Sequence, residues 1–375
     1  MKLCIVGGIF DKDAQYRAVH RETPETTLAD GLRAAGVEVR TIGHAAYVPA
    51  KDDVVHVHHL GRASVVAVAS RGRERVVFTA HDGTLLGDST KVPLRRALAW
   101  RLTAAAADTV VTLSRAESKV VEARVPVERV VCIPNGVSAA AFTDATALSG
   151  SDESVSILYV GQLIALKGID VLMRAFSRVA ADHSSVQLLL AYHVATLEPQ
   201  LRALAQARGV PDRVHFLGPQ NSAALARLYR QAACVVLPSF AEALPSVLIE
   251  AQLCGAPVVA TNVGGIPDII DDRAALVQPG DDRGLETAIR LALKRRSWDD
   301  PVARLARRRL MLERFSVDRM IRDHLACYEQ TLARPRRLAR FTRALGPVIN
   351  TVFAASSGHT LHVADPTGLI GGEAE

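Results

Sequence analysis

The chain has 375 residues, of which 49% are hydrophobic and 22% charged, so it is longer than one hydrophobic core usually supports and predicts two domains. No apolar run approaches the ~18 residues of a membrane span, and the run after Lys2 is too short for a secretory signal. The net charge of +6 is concentrated between Lys294 and Arg343, a segment with 15 Lys and Arg but only six Asp and Glu. This excess of positive charge indicates an anionic partner. No zinc-ligand spacing or aromatic stacking motif accompanies it, so nucleic acid is not favoured.

A first series of short apolar strands alternates with helices. The strands are expected at Leu3–Val6, Val37–Ile42, Val54–Val57, Val76–Thr79, Thr109–Leu113 and Val130–Ile133. The helices are expected near Glu25–Ala35, Arg62–Ser70, Pro93–Ala107 and Arg115–Arg124. Because β-branched runs that alternate with helices are typical of a doubly wound parallel sheet, this series predicts a Rossmann-like domain over residues 1–145.

A second series of the same kind follows a small, polar stretch near residues 138–154, which we interpret as a linker. Its strands are expected at Ser156–Val160, Gln187–Ala191, Arg213–Leu217, Cys234–Leu237, Pro257–Thr261 and Ala274–Val277. The series predicts a second Rossmann-like domain over residues 154–315, then a helix over 316–333 and a basic amphipathic segment with a polar tail over 334–375.

Histidines lie at the ends of two predicted strands in the first domain. Strand alternation puts His56 and His58 on one face and His59 on the other. No carboxylate or cysteine with ligand spacing accompanies them, so we predict no metal site. His81 follows the next strand, where a structural role and a ligand contact are both open.

The second domain opens with ILYVGQLIALKGIDVLMRAF, a strand, a loop with Gly161, Lys167 and Gly168, and a helix. Glycine lets a backbone approach a phosphate closely. A lysine at the start of a helix adds positive charge where free N–H groups already favour anions. This segment therefore predicts a phosphate site.

Two carboxylates, Glu242 and Glu250, stand seven residues apart in the stretch that follows strand Val235–Leu237, and Gly264–Gly265 follows the next strand. Pro245 can start the helix that carries Glu250. Strand ends, helix starts and polar side chains converge here on one edge of a parallel sheet, where open α/β folds bind ligands. The carboxylate pair alone is weak evidence, because any amphipathic helix can offer one.

The flanking residues PSFAEALPSVLIEAQLCGAPVVAT and VGGIPDII make the stretch specific. Together they resemble the Glu-x7-Glu signature of the family 4 retaining glycosyltransferases, and the resemblance covers residues 1–333. It implies the GT-B fold, an α/β architecture of two Rossmann-like, doubly wound domains that face each other across a cleft.

The resemblance also implies roles for residues of this chain. Glu242, Lys167 and His81 would act in catalysis, with Glu242 beside the hydroxyls of the transferred sugar and His81 near the sugar or its leaving group. Glu250 would bind the ribose. The remaining donor-binding positions would be Gly8, Gly161, Gln162, Lys167, Gly264, Gly265 and Ile266.

Three positions depart from the family pattern. Gln162 stands where an arginine is expected to hold the pyrophosphate, and it brings no positive charge. Ala243 replaces a glycine beside Glu242, and Asp268 replaces a glutamate, which is a milder change.

The resemblance therefore predicts a retaining glycosyltransferase that moves a sugar from a nucleoside diphosphate sugar to a hydroxyl acceptor, in polysaccharide, lipid-linked glycan or glycoconjugate biosynthesis. The donor is a substrate, and no cofactor or metal is expected. Two alternatives remain: a catalytically weakened homologue, which Gln162 and Ala243 suggest, and a nucleotide-sugar epimerase of the same fold.

The basic segment from Arg334 to Phe353 combines arginines with apolar residues, and we expect it to bind anionic lipid near a lipid-linked acceptor. The alternative is a basic helix packed on the first domain. Five scattered cysteines form no Cys-x-x-Cys pair, and we interpret them as reduced. The expected location is the cytoplasm, with peripheral contact at the inner face of the membrane.

Overall fold

The computed structural model describes residues 1–19, 23–48, 50–69, 74–79, 81, 94–142, 155–295 and 300–335. They form two compact units. The first unit comprises Met1–Gly136 and the described residues from Phe315 on, and the second unit comprises Val137–Arg314. Most of the predicted linker and all of the basic segment beyond Pro335 lie outside the described residues.

The first unit is built on a six-stranded parallel sheet. Its elements in chain order are β1 (Lys2–Val6), α1 (Ala14–Val19), α2 (Pro24–Ala34), β2 (Glu38–Ile42), β3 (Val54–His58), α3 (Arg62–Ala69), β4 (Arg75–Thr79), α4 (Leu94–Ala106), β5 (Thr109–Thr112), α5 (Arg115–Glu122) and β6 (Val130–Cys132). The strand order is β2-β1-β3-β4-β5-β6, so the chain reverses its direction across the sheet between β1 and β3.

The second unit is built on another six-stranded parallel sheet. Its elements are β7 (Val155–Val160), α6 (Ile169–Asp182), β8 (Val186–Ala191), α7 (Glu198–Ala207), β9 (Val214–Gly218), α8 (Ser222–Gln231), β10 (Ala232–Leu237), α9 (Ser246–Leu253), β11 (Val258–Thr261), α10 (Ile266–Ile269), β12 (Leu276–Val277), α11 (Asp282–Arg295) and α12 (Pro301–Phe315). The order β12-β11-β10-β7-β8-β9 is that of a dinucleotide-binding sheet, with its reversal between β7 and β10.

These two sheets confirm the predicted α/β class with two Rossmann-like, doubly wound units. Every predicted strand is present to within two residues at each end, and the last one, predicted at Ala274–Val277, is shortened at its start. Arg273–Ala275 instead forms a 3-10 turn, because the side chain of Asp272 accepts a hydrogen bond from the Ala274 amide at 2.9 Å. Only Leu276–Val277 remains as strand.

The final described helix, α13 (Val317–Ala333), belongs to the first unit, where it packs on α2. A Cβ at Gly31 of α2 would meet Ile321 Cδ1 at 1.8 Å, so glycine permits this close approach. Two hydrogen bonds join α13 to the sheet, between Tyr328 and His56 at 2.8 Å and between Thr331 and Thr109 at 2.7 Å. Among the described residues, no helix has both the length and the apolarity to cross a membrane.

Several arginines of the basic stretch form hydrogen bonds inside the second unit. Arg304, which is 2% exposed, donates to the carbonyl of Cys254, and Arg307 donates to that of Gly255. Arg308 donates to the carbonyl of Leu253 at 2.7 Å. These arginines satisfy carbonyl groups at the end of α9, whose last turn has no helical partners for them. This stretch of positive charge therefore stabilises the fold, rather than serving only an anionic partner as the sequence suggested.

Candidate functional site

The carboxyl edge of the second sheet, where its parallel strands end, carries the residues of both second-domain motifs. Gly161 follows β7, and Ser239 and Glu242 follow β10. Because β7 and β10 are neighbours at the point of reversal, the two loops leave the sheet side by side.

Lys167 and Glu242 meet at this edge. The Nζ atom of Lys167 lies 2.7 Å from Oε1 of Glu242, although 75 residues separate them in the chain. The side chains are 21% and 10% exposed, respectively, so the ion pair is largely shielded yet reachable by a ligand. A cation and a hydroxyl-binding carboxylate at one point suit a phosphate group attached to a sugar.

A short chain of hydrogen bonds fixes Glu242. The buried Ser239 hydroxyl donates to the same Oε1 atom at 2.7 Å. The carbonyl of Ser239 accepts a bond of 2.6 Å from Thr261, which lies at the end of β11. Together with Lys167, which lies in the loop after β7, these residues bring three neighbouring strands to the orientation of one carboxylate.

The loop before α6 is held against the sheet by Tyr159 and by its own glycines. Tyr159 donates from its hydroxyl to the Gln162 carbonyl at 2.7 Å; burial and the charge of Glu242 raise the pKa of Tyr159, which keeps this donor protonated. Gly161 has no room for a side chain, since a Cβ would lie 2.7 Å from that hydroxyl. Gly168 has φ +62°, and its Cβ would lie 2.1 Å from the Pro238 carbonyl oxygen.

Glu250 stands apart from the Lys167–Glu242 pair in its bonding. It lies in α9, which begins at Ser246 after Pro245 as the cap residue, one position later than expected. Its Oε2 accepts from the hydroxyl of the buried Tyr229 at 3.0 Å. Burial and the nearby Glu250 charge raise the pKa of Tyr229, so this hydroxyl stays a donor.

The glycine pair after β11 leads into the four-residue helix α10. Gly264 has φ +51°, and Gly265 is the cap residue of α10. Ile266 is fully buried, so its side chain packs inside the unit and is not presented to a ligand.

The carboxyl edge of the first sheet holds the other predicted residues. Gly8 begins a 3-10 turn, and a Cβ there would meet nothing within 4 Å, so lack of space does not explain this glycine. Its neighbour Gly7 lies beside a polar side chain, because a Cβ at Gly7 would be 3.0 Å from Cγ of Glu25.

His81 joins a group of rings that we name the histidine cluster (His56, His58, His59, His81 and His324). Its Nε2 lies 2.7 Å from Nδ1 of His58. Burial, with the positive charge of nearby histidines, lowers the pKa of His81 to about 3 and the pKa of His58 well below its ordinary value. His81 is therefore neutral near pH 7, and it can donate or accept a hydrogen bond without carrying charge.

No sequence motif indicated Glu25 as a site residue, and His59 was weighed only as a possible metal ligand. Glu25, 4% exposed, accepts at Oε1 from Nε2 of His59 at 2.8 Å. Burial opposes the charged form of Glu25, but the bond from His59 and the charges of neighbouring histidines hold its pKa below the ordinary value. A signal was present, since Glu25 is an acid in the first turn of a helix in a domain rich in histidine.

The histidine cluster is not arranged around a metal ion. Within the described ranges, no group of three or more His, Cys, Asp and Glu side chains has the geometry to hold one. The rings instead bond to one another, to Tyr328 and to Thr79. Metal-free activity stays a prediction.

Two family models match this chain, one in each unit. A family described as glycosyl transferases group 1 matches residues 146–309, and one described as Glycosyltransferase Family 4 matches residues 45–141. A D-inositol 3-phosphate glycosyltransferase from Geodermatophilus obscurus is 32% identical over 335 residues, which cover 81% of this chain and 74% of that protein. The chain spans only 55% to 60% of several other proteins with the same description.

Solved structures share the fold at low identity. Sucrose-phosphate synthase from Thermosynechococcus elongatus has a TM-score of 0.73 and 22% identity, over 89% of this chain and 99% of that chain. Anabaena Alr3699/HepE, in complex with UDP and glucose, has a TM-score of 0.68 and 17% identity, over 88% of this chain and 100% of that chain. These neighbours confirm the GT-B fold class.

Proposed function

Since this chain belongs to glycosyltransferase family 4, we propose that it transfers a sugar from a nucleoside diphosphate sugar to a hydroxyl acceptor with retention at the anomeric carbon. The observation that carries this proposal is the Lys167–Glu242 ion pair at the reversal point of the second sheet. The structural neighbour bound to UDP and glucose supports a uridine nucleotide as the first donor to test.

In this proposal Lys167 binds the diphosphate and stabilises the charge that develops when the bond to the sugar breaks. Glu242 accepts hydrogen bonds from the sugar hydroxyls, and Glu250 accepts from the ribose. The loop at Gly161 and Gln162 brings backbone groups to the phosphates. Lys167 then supplies the positive charge that a divalent cation would otherwise provide.

The acceptor is proposed by similarity. The relative from Geodermatophilus obscurus is a D-inositol 3-phosphate glycosyltransferase, so D-inositol 3-phosphate is the first acceptor to test. A lipid-linked acceptor near an anionic membrane is the second, on the basis of the basic segment from Arg334 to Phe353. Family membership favours transfer over epimerisation.

The test measures release of nucleoside diphosphate from a panel of nucleotide sugars, with EDTA present and absent. Lys167→Ala and Glu242→Ala should each lower turnover by about one to two orders of magnitude, because a charge-assisted contact contributes about 1.5–3 kcal/mol. Lys294→Ala, at an exposed lysine of α11, is the matched control.

Wild-type turnover by either variant at saturating donor would refute this site. Donor binding without turnover by the wild-type protein would favour the catalytically weakened homologue that Gln162 and Ala243 suggest. Loss of activity in EDTA, restored by a divalent cation, would refute metal independence. The anomeric configuration of the product, read by proton NMR, decides retention.

A further inference from the structure

Tyr229 holds Glu250 by a hydrogen bond, although no motif of the sequence includes this tyrosine. Its hydroxyl donates to Oε2 of Glu250 at 3.0 Å. The tyrosine is fully buried, whereas Glu250 is partly exposed. The pair therefore joins an enclosed hydrogen-bond donor to a carboxylate that a ligand can reach.

The two residues come from neighbouring helices of the second unit. Tyr229 lies in the last turn of α8, and Glu250 lies in the second turn of α9. Both helices begin at the carboxyl edge of the sheet, after β9 and β10. Because helical side chains lean toward the N-terminus of their helix, the ring of Tyr229 extends back toward this edge.

A buried arginine ties the ends of the two helices together. Arg304 is 2% exposed and donates to the carbonyl of Arg230, at the end of α8, at 3.2 Å. It also donates to the carbonyl of Cys254, at the end of α9, at 3.0 Å. The backbones that carry Tyr229 and Glu250 are thus held at a fixed spacing, and the bond between the two side chains acts within that frame.

The hydroxyl of Tyr229 needs an explanation of its own. The ring packs in the core, 6.2 Å from the ring of Phe142, and a phenylalanine would fill the same space. A buried hydroxyl costs free energy unless it is hydrogen-bonded, and here its partner is a side chain of the donor edge. Burial and the charge of Glu250 raise the pKa of Tyr229, so the hydroxyl remains a donor near neutral pH.

We propose that Tyr229 is a positioning residue, which orients Glu250 so that its carboxylate selects a ribose. The proposal rests on the glycosyl transfer proposed above, in which Glu250 accepts from the ribose of the donor. A carboxylate has about four acceptor positions, so Glu250 can receive two ribose hydroxyls while Tyr229 occupies one position on Oε2. Orienting the side chain in advance removes part of the entropy cost of binding.

The pair also specifies the class of donor. A carboxylate held to accept from ribose hydroxyls rejects an analogue that lacks one of them, because the site then loses a charge-assisted bond. The donor is therefore a ribonucleoside diphosphate sugar rather than a 2′- or 3′-deoxyribonucleoside diphosphate sugar. The base takes no part in this contact, so the preference for ribose should be the same for uracil, guanine and adenine nucleotides.

Calorimetry with UDP, 2′-deoxyUDP and 3′-deoxyUDP tests the proposal without turnover. The wild-type protein should bind UDP at least about tenfold more tightly than one of the deoxy forms, a factor typical of a bond to a charged group. In Tyr229→Phe this preference should fall below about threefold. Tyr328→Phe is the matched control, since it removes the bonded hydroxyl of another fully buried tyrosine, in the first unit, and it should keep the wild-type preference.

Glu250→Asp separates orientation from charge. This variant keeps a carboxylate but shortens the side chain, so the bond to Tyr229 is lost and the preference for ribose should fall as in Tyr229→Phe. The two changes together should cost no more than either alone, because they remove the same bond. A wild-type preference in Glu250→Asp would overturn the proposal. If Tyr229→Phe does not fold, Glu250→Asp, at a partly exposed position, carries the test.

A kinetic measurement distinguishes positioning from a general loss of structure. With a donor that turns over, Tyr229→Phe should raise the donor KM several fold and leave kcat within about twofold, because the ribose lies away from the bond that breaks. A fall in kcat with KM unchanged would overturn the proposal.

The outcomes separate this inference from the proposed function. Turnover by the wild-type protein, with the same ribose preference in Tyr229→Phe, would overturn the inference and leave glycosyl transfer intact. A lost preference in Tyr229→Phe, with full turnover in Lys167→Ala, would support the inference and refute the phosphate contact. If UDP does not bind, GDP and ADP with their 2′- and 3′-deoxy forms replace it. Binding of none of the three nucleotides would overturn the inference, while the sugar panel decides the function separately.

Discussion

The carboxyl edges of the two sheets differ in how they manage charge. The second sheet presents an ion pair between Lys167 and Glu242, which lie on two neighbouring loops, and the loop of Lys167 has no room for a side chain at Gly161 or Gly168. The first sheet presents the neutral rings of His58 and His81 beside the buried carboxylate of Glu25. Fixed charge suits the binding of a phosphate, whereas neutral rings that bond to one another suit the handling of a proton.

The two edges also differ in their construction. At the second edge, the hydroxyl of Ser239 donates to Glu242, the hydroxyls of Tyr159 and Thr261 donate to loop carbonyls, and glycines let loops approach each other. At the first edge, ring nitrogens bond to one another and to Glu25, and His56 connects the cluster to Tyr328 of α13. We therefore expect the stability of the first unit to fall in acid, and the stability of the second unit to fall when a side chain is added at its glycines.

The largest expected effect is selective unfolding of the first unit in mild acid. Burial lowers the pKa of His56 and His58 well below 6.5, that of His81 to about 3 and that of His324 to about 4. The unfolded chain therefore binds more protons below pH 6.5, and stability falls as the pH falls from 6.5 toward the folded pKa values. Four such histidines should lower the free energy of unfolding by about 5–6 kcal/mol at pH 5.5.

Hydrogen exchange of peptides from β3 and β10 at pH 7 and pH 5.5, corrected for intrinsic rates, measures the two units separately. The second unit should keep its protection in this window, because the lowered pKa values of Asp282 and Glu286 affect stability only at more acidic pH. His215→Gln, outside the histidine cluster, is the control. Earlier loss of protection in β10 than in β3 would contradict the comparison.

The next effect is local to the second edge. Gly168→Ala should lower the free energy of unfolding by about 2–5 kcal/mol, because the methyl group adds left-handed strain and overlaps the Pro238 carbonyl. UDP affinity should fall with it, since Gly168 adjoins Lys167. Gly209→Ala is the matched control: Gly209 has φ +71° with nothing within 4 Å, so only strain is added.

Chemical denaturation and calorimetry with UDP check the Gly168→Ala prediction. Equal destabilisation by Gly168→Ala and Gly209→Ala would show that the close approach to Pro238 contributes nothing. It would also remove the contrast between Gly168, which is crowded at the carboxyl edge of the second sheet, and Gly8, which has free space at the carboxyl edge of the first sheet.

The smallest effect concerns two tyrosine hydroxyls. Tyr159→Phe removes the donor to the Gln162 carbonyl and should weaken UDP binding by a few fold, since such a bond contributes about 0.5–1.5 kcal/mol. Tyr328→Phe removes the partner of His56 and should lower stability by a similar amount, with UDP affinity unchanged. Calorimetry and thermal unfolding of both variants give the comparison; a reversed pattern would show that the two edges are not specialised in this way.

Most of the fold could be predicted from sequence, because each strand and helix here is a local pattern. The runs Leu3–Val6 and Cys234–Leu237 are apolar and β-branched, and they are buried strands in the structure. The strand orders were not predictable at this level. The first sheet has the order of a flavodoxin-like sheet and the second that of a dinucleotide-binding sheet, although both arise from similar alternations of strand and helix.

The sequence by itself determined the family, and it predicted a phosphate site in the second unit. Both follow from short motifs whose spacing is visible in the chain, which include Gly161, Lys167, Glu242 and Glu250. Only the tertiary structure decided that Lys167 bonds to Glu242, and that Glu25 bonds to His59 across 34 residues. Such pairs form where the ends of separate strands and the starts of helices meet. Their contacts depend on the order of the strands in each sheet, which no local pattern of residues encodes.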